Sequence, residues 1–134
     1  MGWNQESERS IEWLLDYDGR VHVFEGGYYV KLEFRKVAEQ ATVPHRIKYS
    51  MSLHAPDGTR LMGFDNAHPV ERKAGAMKRR SAAADHWHRD ENDSGRPYTF
   101  KDVQTLLDDF EKEVERKLSE KGVSVNVVRV DQSH

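Results

Sequence analysis

The stretch Ile47-Lys48-Tyr49-Ser50-Met51-Ser52-Leu53-His54-Ala55-Pro56-Asp57-Gly58-Thr59-Arg60-Leu61-Met62-Gly63-Phe64-Asp65 decides the fold. Ile47, Tyr49, Met51 and Leu53 alternate with Lys48, Ser50, Ser52 and His54, the period of two expected of a strand with one apolar face. Pro56 pre-sets its φ for a turn, and Gly58 tolerates positive φ. Leu61, Met62 and Phe64 then resume the apolar pattern. The spacing predicts an antiparallel hairpin, roughly residues 46–54 with 60–65.

Upstream, Tyr28, Val30, Leu32 and Phe34 alternate with Tyr29, Lys31, Glu33 and Arg35, which predicts a second strand with its even-numbered face inward. Val21 and Val23 alternate with Arg20 and His22, following the Asp18-Gly19 turn, and suit a half-buried strand. Ile11, Trp13, Leu14 and Leu15 fit either a short helical turn capped by Ser10 or the start of a strand. Downstream, Val103, Leu106, Leu107, Phe110, Val114 and Leu118 fall on one face at helical spacing. Thr99 is the expected cap, with Asp102 three positions on, and Gly122 is the expected left-handed stop. Val123, Val125, Val127, Val128 and Val130 suggest a last strand. Strands, one long helix and a final strand make an α+β domain, an antiparallel sheet with the helix packed on one face.

The 134 residues suit one domain over residues 1–134, with no repeat or linker. Net charge is -2, from 21 Lys+Arg against 23 Asp+Glu, so an overall basic coat is excluded and a local basic patch is not. Without cysteine there is neither a disulfide framework nor a thiolate zinc site. No signal-peptide pattern and no apolar run of membrane length is present, so the expectation is a cytoplasmic protein with no membrane partner. By the same reasoning Asn92-Asp93-Ser94 carries no meaning as a glycosylation pattern.

Periodicity disappears from Asn66 to Arg96, and an irregular basic loop is expected at 67–97. It holds Arg72, Lys73, Lys78, Arg79 and Arg80, then Asp85-His86-Trp87-His88-Arg89. In an extended segment His86 and His88 project to the same side, whereas in a helix they diverge. Paired imidazoles can act as general acid and base near neutrality. Asp85 or Asp65 can orient an imidazole, and Arg89 or Arg96 can hold a phosphate, as can Arg79 and Arg80. Cleavage of RNA needs little more: a base for the 2′-hydroxyl, an acid for the leaving oxygen, and a cation for the developing charge. His-x-His with a carboxylate can also hold a divalent ion. That reading ranks lower because no third histidine lies nearby, so no metal and no cofactor is expected. The plain alternative is a surface loop whose histidines do nothing special. The Phe64-Asp65-Asn66-Ala67-His68 run reads first as a turn closed by side-chain-to-backbone bonds.

Taken in order, the hairpin from Tyr49 to Gly58, Arg60 to His68, Asp85-His86-Trp87-His88, Arg96-Pro97-Tyr98-Thr99-Phe100 and Leu106-Leu107-Asp108-Asp109-Phe110 resemble the TumE-like toxin family of toxin–antitoxin modules. The resemblance spans roughly residues 28–120. It implies a toxin neutralised by a cognate helix-turn-helix antitoxin. The family's Asp-His-x-His segment falls on Asp85, His86 and His88, and its Tyr/Phe-Asp-Asn segment on Phe64, Asp65 and Asn66. The insertion at 67–84 departs from short family members, so no role for Arg79 or Arg80 carries over. The site chemistry adds the expectation of a metal-independent endoribonuclease, with RNA as target. The rival is a non-catalytic module that binds nucleic acid or a partner protein in the same genetic context. Self-association into a homodimer stays open.

Overall fold

A computed structural model describes residues 11–38, 46–66 and 85–132. Its strands are β1 (Arg20–Phe24), β2 (Tyr29–Lys36), β3 (Ile47–His54), β4 (Arg60–Asp65), β5 (His86–His88), β6 (Arg96–Pro97) and β7 (Val127–Gln132). A 3-10 turn, Glu25–Gly27, separates β1 from β2, and the long helix Val103–Glu120 lies between β6 and β7. The strands form one antiparallel sheet in the order β6-β5-β4-β3-β2-β1-β7. Six strands meander from one edge to the other. The chain then crosses the sheet as the helix and adds β7 beyond β1. This is the α+β architecture the periodicities imply.

β3 is the centre of the molecule. All eight of its residues pair with β2, from Ile47↔Lys36 to His54↔Tyr29. Its other side pairs with β4, with a register shift between Leu53 and His54. Tyr49, Met51 and Leu53 are buried on the helix side, and the β2 residues Val30, Leu32 and Phe34 extend the same layer. From the helix, Leu106, Phe110, Val114 and Leu118 cover that layer. Phe64 meets Phe110 edge-on at 5.9 Å and Tyr98 edge-on at 5.1 Å. Residues 11–15 are helical, and Ile11 and Leu14 close the core at its far end.

Three expectations change. First, the helix begins later than Thr99 suggests. Tyr98 N–H donates to the Asp85 carbonyl at 3.0 Å, which holds the chain along the sheet past β6. Asp102 is therefore the cap, accepting from Thr105 N–H at 2.7 Å. Second, the irregular stretch is partly ordered, because residues 86–88 and 96–97 are strands. Residues 67–84, with Arg79 and Arg80, lie outside the described residues. Third, the final strand starts only at Val127 and buries nothing. Val127, Val128 and Val130 are all exposed, since β7 is an edge strand paired with β1 alone. The helix ends as expected at Gly122, whose φ is 71°, with Val123 N–H returning to the Leu118 carbonyl.

In β1 the inward residues are His22 and Phe24. Both line an apolar cleft of about 370 Å³ beneath the helix, along with Leu32, Phe34, Phe110 and Val114. His22 Nε2 is buried there with no hydrogen-bond partner among the described residues. Burial pushes its pKa below the ordinary 6.5, and the Arg20 charge adds to the shift. The folded imidazole is thus a poorer base than the unfolded one. Stability is complete while both states are neutral, and falls as pH drops below about 6.5 and the unfolded chain takes up the proton first. His22→Leu removes this contribution. Denaturant melts at about pH 7.5 and 5.5 should show the wild type losing more stability on acidification than the variant.

A candidate active site on the open face of the sheet

The helix covers one face of the sheet, and strand alternation sends every other side chain to the opposite face. On β2 these are Lys31, Glu33 and Arg35, and on β3 they are Lys48, Ser50, Ser52 and His54. The register continues them through Gly63 and Asp65 of β4 to His88 and His86 of β5. Ser50↔Asp65↔His86 and Ser52↔Gly63↔His88 are therefore two rows across the face.

Asp65, His86 and His88 converge at the β4–β5 ladder, and each is only 6% exposed. His86 Nε2 stands 3.2 Å from Asp65 Oδ1, and His88 Nε2 stands 3.8 Å from Asp65 Oδ2. The two imidazole rings meet edge-on, 5.1 Å between centroids. Asp65 Oδ1 nevertheless receives no hydrogen bond of good geometry from any described residue. Close approach without alignment leaves that buried oxygen unsatisfied, a costly arrangement. His88 Nδ1 donates to the Asp93 carbonyl at 2.9 Å, which fixes the tautomer and leaves Nε2 as a lone pair aimed at the centre. Burial lowers the His88 pKa. The Asp93 carbonyl and Asp65 oppose that shift, while Arg60 and His86 reinforce it.

Two glycines make the space. Gly63 carries no side chain between Ser52 and His88, and a β-carbon there would sit 3.2 Å from the Met51 carbonyl and 3.5 Å from Arg60 Cδ. Arg60 is thus free to lie across the strand towards His88. Gly95 packs directly on both imidazoles. A β-carbon there would come within 3.1 Å of His88 Cε1 and 3.3 Å of His86 Cδ2, and its φ of 122° already disfavours any other residue.

Asn66 anchors the end of β4. It is fully buried, its Nδ2 donates to the Ile47 carbonyl at 2.7 Å, and its Oδ1 accepts from Tyr49 N–H at 2.8 Å. The expected side-chain-to-backbone bonding is present, but it spans to the next strand instead of closing a local turn.

The structure brings together three of the four carboxylate and imidazole candidates. Asp85 is elsewhere. Its Oδ2 accepts from the Tyr49 hydroxyl at 2.6 Å, on the helix side of the sheet, and burial followed by this carboxylate pushes the Tyr49 pKa up. Arg96 is held by Asp93 at 2.7 Å and lies over the Trp87 ring. Arg89 is exposed, with its N–H on the Asp93 carboxylate and its carbonyl on Arg116. Sequence reasoning missed Arg60, Asn66 as a clamp, and Asp93. Asp93 carboxylate oxygens take Arg89 N–H, Gly95 N–H and Arg96 Nε, which shapes the turn over the histidines. The only sequence signal for Asp93 is its place two residues before a glycine, a common turn pattern.

Among the described residues, Asp65, His86 and His88 are the set whose side-chain atoms could hold a metal ion, all within 4.8 Å of one another. No helix among these residues is long and apolar enough to cross a membrane.

Asn66→Ala would leave the Tyr49 N–H and the Ile47 carbonyl buried without their partner. The expected cost is on the order of 3 kcal/mol, read as a lower denaturant midpoint with unchanged m-value. A loss below about 0.5 kcal/mol would show that the clamp does not hold β4.

A family model described as "Toxin TumE" matches residues 12–118. Searches of curated proteins and of solved structures returned no match.

Proposed function

The chain belongs to the TumE toxin family, and from that premise we propose that it is an endoribonuclease toxin working through Asp65, His86 and His88. Membership implies an antitoxin that binds the chain. On our reading that antitoxin is a helix-turn-helix protein and the toxin works in the cytoplasm. The observation that carries the proposal is the convergence of two imidazoles on one buried carboxylate, on a face where Lys31, Arg35, Lys48 and Arg60 outnumber the one exposed acid of β2, Glu33.

The chemistry follows from that placement. A phosphodiester presented to the open face meets cations that neutralise its charge, and single-stranded RNA needs no groove to be unwound to reach them. Arg60, next to His88, is placed to hold the phosphate under attack. The centre's task is to draw the proton from the 2′-hydroxyl and return one to the leaving 5′-oxygen. On this reading His88 Nε2 offers the lone pair that takes the 2′-hydroxyl proton, His86 is the acid that gives one to the leaving 5′-oxygen, and Asp65 between them balances the charge that develops. Arg96 is paired with the Asp93 carboxylate, whereas Arg89 is held only through its backbone, so its exposed guanidinium stays open to a phosphate as the sequence suggests.

The rival reading is a module that binds nucleic acid or a partner without reaction. Both make the open face bind RNA, and only one makes product. Purified wild type is expected to cleave RNA and, when induced, to arrest growth of a bacterial host. His86→Ala/His88→Ala at matched soluble level should lose about 10²–10⁴-fold in cleavage rate and no longer arrest growth. Cleavage unchanged in that variant would remove the mechanism. Salt-dependent RNA binding without product from the wild type would establish the binding module instead. In the binding assay, Arg60→Ala should reduce the salt slope by about 0.7, one phosphate contact on a single strand.

A further inference from the structure

We propose that Asp65, His86 and His88 form a binding site for one divalent first-row transition-metal ion of the Zn²⁺ class. The inference rests on the same centre as the ribonuclease reading, but it holds whatever the substrate is. It departs from the metal-free expectation drawn from the sequence.

Four observations support it. The donor set is two imidazole nitrogens and one carboxylate, the borderline ligands such ions take when three protein groups leave a position open for water. The spacings suit a shared ion. Ligands about 2.0–2.2 Å from a tetrahedral centre stand about 3.4 Å from each other. The two contacts to Asp65, one to each carboxylate oxygen, are 3.2 and 3.8 Å, and one donor atom from each of the three residues lies within 4.8 Å of the others, close enough for a small inward shift to meet one ion. The other nitrogen of His88 is committed to the Asp93 carbonyl, the partner that metal-bound histidines commonly have, and it fixes the lone pair on the side facing Asp65. The pairing of His88 Nε2 with Asp65 Oδ2 also sets one acceptor against another. In a neutral imidazole with Nδ1 protonated, nothing stands between them to bond. Asp65 Oδ1 adds a second unsatisfied acceptor, buried at the same point. A cation between these atoms satisfies all of them at once.

The surroundings agree. The face beneath is built from Ser50, Gly63 and Ser52, which add no competing charge. Gly95 above is the only residue type that leaves both rings where they are. Arg60, whose Cδ would lie 3.5 Å from a β-carbon at Gly63, is an exposed side chain and adds no ligand to the cluster. The consequence for chemistry is a change of role. The histidines become ligands, and the proton-accepting group becomes a solvent oxygen that the ion makes acidic near neutrality.

The test is a titration of chelator-treated, full-length wild type with Zn²⁺ by calorimetry, and with Co²⁺ by visible absorption. One equivalent should bind saturably and raise the melting temperature. Asp65→Asn, His86→Gln and His88→Gln should each weaken binding by at least about two orders of magnitude, above the cost of losing a supporting residue. His22→Ala should bind as the wild type does, which separates the site from histidines in general. Far-UV circular dichroism identifies any variant that fails to fold. If all three do, Gly95→Ala, which presses on both rings without removing a ligand, decides between the outcomes: a shifted Co²⁺ spectrum and weaker binding uphold the site, and wild-type behaviour overturns it. Absence of saturable binding to the wild type overturns the proposal, as does equal affinity in the folded ligand variants. RNA cleavage separates the two readings. Metal binding without cleavage upholds the site and removes the ribonuclease, whereas cleavage undiminished in chelator, by protein that binds no Zn²⁺, does the reverse.

Discussion

The side chain of Asn66 holds the architecture of the site in place. It directly follows β4, its backbone N–H donates to the Tyr49 carbonyl, and its amide accepts from Tyr49 N–H and donates to the Ile47 carbonyl. An amide buried without those two partners would be strongly unfavourable, so the position is restrictive. With Asn66 locked, the residue before it must face the other way. Asp65 is thereby held on the open face, in the row that Ser50 and His86 share. A slip of one residue between β3 and β4 would carry Asp65 into the core and Phe64 out of it. The same bonds that end the strand thus decide which side of the sheet can do chemistry.

The two faces divide the labour by polarity. The helix side is filled by aromatic and aliphatic side chains; the Tyr49 hydroxyl is paired there with Asp85 and the Tyr98 hydroxyl with Asp109, while His22 Nε2 is buried without a partner among the described residues. The open side carries Lys31, Glu33, Arg35 and Lys48 with small polar residues around the buried cluster of Asp65, His86 and His88. With a net charge of -2 the protein as a whole would not attract a polyanion strongly. A nearly neutral chain can still gather Lys31, Arg35 and Lys48 on neighbouring strands of one face, with Glu33 the acid among them.

Much of this is legible in the residues. Strict alternation in β2 and β3, the Pro56-Asp57-Gly58 turn and the apolar stripe of the helix each obey a local rule, and the structure follows them. The His86/His88 pair is legible as well, because an extended chain leaves only one way for i and i+2 to point. What local rules do not contain is register. Asp65 lies far from His86 in sequence, and nothing in either segment says that they pair. For that reason the residues alone do not separate Asp65 from Asp85 as the carboxylate beside the two histidines. Asp85, closer in sequence, binds a tyrosine on the other face. The helix start departs from its local pattern for a related reason: a backbone bond from Tyr98 to Asp85, a long-range contact, overrides the capping preference of Thr99.

The lengths of the strands that carry the cluster have a consequence of their own. Asp65 sits on a six-residue strand flanked on both sides, next to the longest ladder in the sheet. The histidines sit on a three-residue strand whose outer neighbour has only two residues. The ladders of β5 and β6 are short, and the segment is held as well by Tyr98 N–H on the Asp85 carbonyl, the Tyr49 hydroxyl on the Asp85 carboxylate and Trp87 stacked on Phe64. The centre therefore joins one member from the middle of the sheet to two from near its edge, and the edge pair is kept in place by side-chain anchorage to the core more than by the length of its ladder.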